Sequence, residues 1–194
     1  MRFHEIIRPL VENTGQRLLY HASSGEGVVG IMQSDYMTDE PFEGPAGASL
    51  SRNFEWSKRY AYGKAQDRMR DVNKDAQRMG YDGALKLYQS YGAVAQFAEW
   101  TADNKYGSGG AVIIFDWNKL ATTHNIQPYD EPGLEEFEER IMSDGAGIRN
   151  VKQSIVGIHV NDPDKFEAFL AGLVNLDPSA KGPASEILGL ARKL

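Results

Sequence analysis

Apolar positions along the chain change period several times, and each period predicts an element. Phe3, Ile6, Ile7, Leu10 and Val11 recur at i, i+3, i+4 and i+7, which predicts an amphipathic helix over residues 1–14. Pro9 bends or shortens that helix, and Gly15 stops it. Residues 17–21 form a short apolar strand that ends on His21. Ser23, Ser24 and Gly25 supply a turn or a helix N-cap, and residues 26–33 follow as a short helix. Residues 38–47 hold Pro41, Pro45, Gly44 and Gly47 among acidic residues and read as a loop. Residues 48–51 return to a strand, and Asn53 caps a helix that runs through Trp56 and Tyr60. Residues 64–103 are mainly helical, with breaks near Gly80 to Gly83 and at Gly92.

The glycine-rich stretch 107–110 leads into Ala111-Val112-Ile113-Ile114-Phe115, the strongest buried-strand signal in the chain. A turn of helix over 117–122 and strands over 125–129, 137–142 and 151–160 come next, with a turn or mobile loop at residues 130–133. Asp162-Pro163 opens an amphipathic helix with Phe166, Phe169, Leu170 and Leu173 on its apolar face. A final short helix is expected from about Ser185. Helices separate the early strands while the late strands cluster, so the fold class is α+β. No G-x-G-x-x-G follows a strand, and no phosphate-binding Walker loop is present.

Composition narrows the chemistry. With 41% hydrophobic and 25% charged residues, the 194-residue chain has the make-up of one globular domain. It contains no cysteine, which excludes disulfides, thiolate zinc sites and thiol nucleophiles. No histidine pair has usable ligand spacing, so no metal is expected. The opening residues lack the apolar run of a secretory leader, and no stretch approaches a membrane span, so a cytoplasmic location without membrane attachment is the expectation. A formal net charge of −6 provides no general attraction to nucleic acid. Lys58, Arg59, Lys64, Arg68, Arg70 and Lys74 alternate with Asp67, Asp71 and Asp75, the pattern of a solvated, salt-bridged helix face.

Three features carry candidate chemistry. His21 ends a strand and precedes Ala22, Ser23 and Ser24, where backbone N–H groups and hydroxyls are at hand. The stretch from Ser49 to Tyr60 runs from strand to cap to helix, and its aromatics either pack the helix onto the sheet or offer Tyr60 to a flat ring. In Glu135-Glu136-Phe137-Glu138-Glu139, strand alternation puts Glu136 and Glu138 on one face and Phe137 and Glu139 on the other. Paired carboxylates suit a reaction with an oxocarbenium-like transition state. Standing alone, they would read as an acidic edge that resists aggregation.

In order, these segments resemble the ADP-ribosyltransferase superfamily, whose members transfer ADP-ribose from NAD. Leu19-Tyr20-His21-Ala22-Ser23 is similar to its aromatic-His-Gly-Ser/Thr strand, with Ala22 in place of glycine. Ser57-Lys58 and Tyr60 fall at the spacing of the poly-ADP-ribose polymerase branch, although Ser49 stands where that branch has a tyrosine. Glu136-Phe137-Glu138 resembles the Glu-x-Glu of toxin-type members, and residues 112–129 are similar to small phage proteins with this layout. The resemblance covers roughly residues 17–160 and thins across 64–105. It implies one domain over 1–194 with a split mixed or antiparallel sheet. Helix 1–14 would precede that core, a helical insertion would occupy about 64–105, and helices would follow over 161–194.

The resemblance also implies site roles. His21 would hydrogen-bond NAD ribose hydroxyls, the Ala22 backbone would hold the nicotinamide amide, and Ser23 or Ser51 would assist. Tyr60 would stack on nicotinamide. Glu138 would bind the ribose 2′-hydroxyl and stabilise developing positive charge, with Glu136 orienting the acceptor. A strand register displaced by one would give Glu139 the place of Glu138. The activity implied is mono-ADP-ribosyl transfer from NAD to a macromolecule, a host protein first and nucleic acid second. The alternatives are NAD glycohydrolysis and a catalytically silent phage-type protein that binds and inhibits a host factor. RNA 2′-phosphate removal is a related activity that would call for several basic residues around the site.

Overall fold

The computed structural model describes residues 17–38, 47–129, 138–143, 145 and 147–191. The helix expected over 1–14, most of the loop at 38–47 and the turn at 130–133 lie outside these residues. The chain has an α+β fold built on an antiparallel sheet of six strands. The strands are β1 (Leu18–Ser23), β3 (Gly47–Ser51), β4 (Ala111–Asp116), β5 (Ile126–Pro128), β6 (Glu138–Met142) and β8 (Ile155–Val160). Their order across the sheet is β5-β6-β3-β1-β4-β8. A two-stranded ribbon pairs β2 (Tyr36–Met37) with β7 (Ile148–Arg149).

Every residue of β4 is buried, because this strand is covered on both faces. Alternation sends Ala111, Ile113 and Phe115 into the main core and Val112 into a smaller cluster with Ala22 and Ala61. The main core is closed by α1 (Gly25–Ser34), α5 (Pro163–Leu176) and α6 (Lys181–Ala191), with Val28, Phe166, Phe169 and Ile187 among its buried side chains. Burying a side chain such as Phe115 completely stabilises the fold by about 2–3 kcal/mol.

The opposite face of the sheet takes α2 (Phe54–Ser90). Its buried stripe is Ser57, Ala61, Ala65, Met69 and Val72, and the small residues of its first three turns let the helix backbone approach β4 closely. At Gly110 (φ 75°) a Cβ would lie 2.2 Å from the Ala61 carbonyl oxygen, so this contact requires glycine. Asn53 starts the helix by accepting the Trp56 N–H at 3.1 Å. Asn53→Ala is expected to lower the unfolding free energy by about 1 kcal/mol in urea titration, while Asn53→Asp, which keeps the cap, stays within about 0.5 kcal/mol of the native chain. Gly80 (φ 74°, ψ 171°) breaks α2, and α3 (Val94–Ala102) turns back against it, placing Phe97 among Val72, Ala84 and Tyr88.

Two boundaries differ from the sequence expectation, and one strand pairing is added to it. Residues 152–154 form a 3-10 turn, so the strand expected from 151 begins at Ile155. The last helix starts at Lys181, four residues before Ser185, because Pro178 and Asp177 set up a capped turn that runs straight into it. The β2–β7 ribbon was not foreseen, since each strand has only two residues and no period can be read from two. Between them α2 and α3 account for the helical stretch expected at 64–105, and α2 begins at Phe54, directly after the expected cap Asn53.

Candidate functional site

The central feature is a gap in the sheet. Six residue pairs join β1 to β4 and five join β3 to β6, yet β1 meets β3 at the single pair Tyr20–Ser51. Beyond it the His21 ring takes over from the missing ladder, with Nδ1 3.0 Å from the Ser49 carbonyl oxygen. A carbonyl only accepts, so Nδ1 carries a proton and the neutral ring is the Nδ1–H tautomer. A cleft of about 590 Å³ opens at this gap, within the about 300–1,000 Å³ typical of small-molecule sites.

The structure brings His21, Ala22, Ser23, Ser51, Tyr60 and Glu138 together on this one cleft. Glu136 lies outside the described residues. Glu138 opposes Ser51 across the β3–β6 ladder, and Arg140 opposes Ser49 two residues along on the same face. Glu139 points the other way and is 1% exposed. It is ion-paired with Arg17 and lies 3.6 Å from Nε of Arg52, two guanidinium groups that make its burial tolerable. The register therefore gives the cleft to Glu138.

The α2 wall is a ladder of side chains four residues apart, Trp56, Tyr60, Lys64 and Arg68. Trp56 and Tyr60 stack with centroids 4.8 Å apart and planes at 19°. Lys64 Nζ sits 5.1 Å from the Tyr60 centroid, so the ring already holds an indole and an ammonium, and a flat ligand on Tyr60 would have to displace Lys64. Of the basic residues expected on a solvated face, Lys58, Arg70 and Lys74 do pair with Glu55, Asp67 and Asp71 along the helix. Lys64 and Arg68 instead face the cleft. Their fourfold spacing from Tyr60 was the signal that could have separated them.

The first backbone N–H groups of α1, which follows the strand that carries His21, are occupied. Ser24 Oγ accepts the Gly27 N–H at 3.1 Å, and the Glu99 carboxylate accepts those of Gly25 and Glu26 at 2.8 Å each. Ser108 Oγ donates a further bond to Glu99 at 2.5 Å. The start of α1 is thus closed by a side chain from α3, 73 residues further along the chain from Glu26, and no local pattern announces it. Burial pushes the Glu99 carboxyl up and the neighbouring Glu26 adds to this, while the three hydrogen bonds pull it down.

Glu26 is a further cleft residue that sequence reading missed. Its Oε2 is enclosed without a hydrogen-bond partner among the described residues, and Arg68 Nε stands 3.7 Å away. Burial pushes its carboxyl above the ordinary value near 4.5, against the pull of Arg68. A carboxyl raised in the folded state binds its proton more tightly there than in the unfolded chain. The stability tied to it is complete below the unfolded value and is lost as pH rises through the folded one. Glu26→Gln is therefore expected to melt with the native protein at about pH 4 and above it at about pH 8. An equal difference at both pH values would contradict this.

The other described histidines stand elsewhere. His124 Nε2 lies 2.8 Å from the Arg149 carbonyl oxygen, and His159 meets the Phe54 ring edge-on at 5.1 Å. Among the described residues no group of three or more His, Asp or Glu could hold a metal ion, and no helix is long and apolar enough to cross a membrane. No protein-family model, curated protein or solved structure matches this chain.

Proposed function

We propose that the chain is a mono-ADP-ribosyltransferase of the cytoplasm, or of the host cytoplasm if a phage encodes it. It would transfer ADP-ribose from NAD to a macromolecular acceptor, protein before nucleic acid. One observation carries this reading: the residues that resemble the family's motifs, scattered from position 21 to 138, converge on one cleft where the sheet parts. A protein that only blocks a host factor has no chemical need to keep His21, Tyr60 and Glu138 together.

In this reading the cleft takes NAD as substrate. His21, held by Ser49 through Nδ1, presents Nε2 to a ribose hydroxyl. The Ala22 backbone, on the margin of β1 where pairing with β3 has ended, takes the nicotinamide amide, with Ser23 or Ser51 beside it. Tyr60 receives the nicotinamide ring once Lys64 yields its place. Glu138 accepts the 2′-hydroxyl of the nicotinamide ribose. As the C1′–N bond breaks, its electron pair leaves with nicotinamide, and the carboxylate stabilises the positive charge left on the ribose. An acceptor lone pair then forms the new bond to C1′ and its proton goes to a base or to water. Glu136 would orient that acceptor.

The test is to incubate the pure chain with NAD labelled in its adenylate half and a cell lysate. Nicotinamide release with label on a macromolecule supports transfer. Release with free labelled ADP-ribose favours glycohydrolysis. Neither release nor label ends the enzymatic reading and leaves the silent inhibitor.

A further inference from the structure

We propose that Arg140 and Tyr129 form a clamp that positions Glu138, and that the rate of the proposed reaction depends on it. This rests on the reading of the cleft as an NAD site. Arg140 Nε donates to Glu138 Oε1 at 2.7 Å, and the two side chains are 11% and 10% exposed. The Arg140 guanidinium lies over the Tyr129 ring, its Cζ 3.8 Å from the centroid. Tyr129 closes the circuit through its own backbone, whose N–H donates to the Glu138 carbonyl oxygen at 2.9 Å. A ring, a planar cation and a carboxylate are thus locked in sequence, and both ends of the stack are tied to residue 138.

Each part has a physical purpose. A glutamate has three rotatable bonds, and a carboxylate that must meet a ribose hydroxyl loses rate if it wanders by an ångström. Guanidinium is flat and rigid, so with its plane held by the ring it aims Nε–H at Oε1 from a fixed direction, where a flexible ammonium would fix only a distance. The aromatic face holds the guanidinium in turn. With Oε1 engaged, Oε2 is the oxygen left to accept the 2′-hydroxyl. Arg140 sits two residues beyond Glu138 on the same strand, so alternation delivers both to the cleft. Neither Arg140 nor Tyr129 is given a bond to the reacting atoms, so their role is positioning.

The experiment compares nicotinamide release by the native chain, Arg140→Lys, Tyr129→Leu and Tyr129→Phe, each alone and combined with Glu138→Gln. Arg140→Lys and Tyr129→Leu are expected to lower kcat about tenfold to a hundredfold with KM for NAD within about threefold. Tyr129→Phe, which keeps the ring under the guanidinium, is expected to lose less rate than Tyr129→Leu. In the Glu138→Gln background the same changes should lower the residual rate by less than about twofold, because nothing remains to be positioned. A merely structural role would cost the same factor in both backgrounds, and that outcome overturns the clamp. So would native rates in Arg140→Lys and Tyr129→Leu. If the native chain itself releases no nicotinamide, the NAD reading fails and the clamp falls with it. Arg140→Lys keeps the charge beside Glu138, and Tyr129→Leu tests the clamp without touching the ion pair should the lysine variant fail to fold.

Discussion

Glu138→Gln is expected to lower nicotinamide release about 1,000-fold, a loss of about 4 kcal/mol of transition-state stabilisation. The amide has the shape of the carboxylate and its oxygen can still accept the Arg140 N–H, so the fold has little reason to change. What it lacks is the negative charge that offsets the cation forming on the ribose. Thermal unfolding should move by only a few degrees while the rate collapses. Glu139→Gln should do the reverse. Its side chain lies under the sheet between Arg17 and Arg52 and has no access to the cleft, so it should weaken the fold and leave the rate per folded molecule within about threefold. Rates that fall for Glu139→Gln and hold for Glu138→Gln would mean that the register of β6 is displaced by one residue.

Glu99→Ala is expected to lower the unfolding free energy by about 4 kcal/mol, or roughly 10 °C in melting temperature. The substitution strands three donors, the N–H groups of Gly25 and Glu26 and the hydroxyl of Ser108, at a site that is 0% exposed. It also leaves a cavity between α1 and α3. Because these donors start α1 beside Ser23, the variant should also bind cleft ligands more weakly, even at temperatures where it stays folded. Glu99→Gln retains one acceptor oxygen and should cost about half as much. A melting temperature unchanged in Glu99→Ala would show that water or another group satisfies the start of α1.

Much of this was legible because it is local. The apolar run of β4, the caps Ser24, Asn53 and Asp162, and the glycine breaks at 80 and 92 follow from periods and turn chemistry within a few residues. Alternation along β6 also puts Glu138 and Glu139 on opposite faces from the sequence alone. The resemblance of short motifs then named His21, Ser51 and Tyr60, and these share the cleft with Glu138.

The rest depended on contacts between residues far apart in sequence. Which face of β6 meets the cleft is decided by Arg17, 122 residues away, taking Glu139 to the other side. That the first N–H groups of α1 are closed to a ligand is decided by Glu99 on a different helix. Lys64 and Arg68 line the cleft because α2 presses its small-residue stripe onto the sheet and so turns their side of the helix toward α1. Sequence by itself determined the elements, their caps and the alternation that singles out Glu138, since these depend on the dihedral preferences and spacing of neighbours. Only the tertiary structure decided that β1 and β3 part after one residue pair, because a gap between strands arises from how distant segments fail to meet.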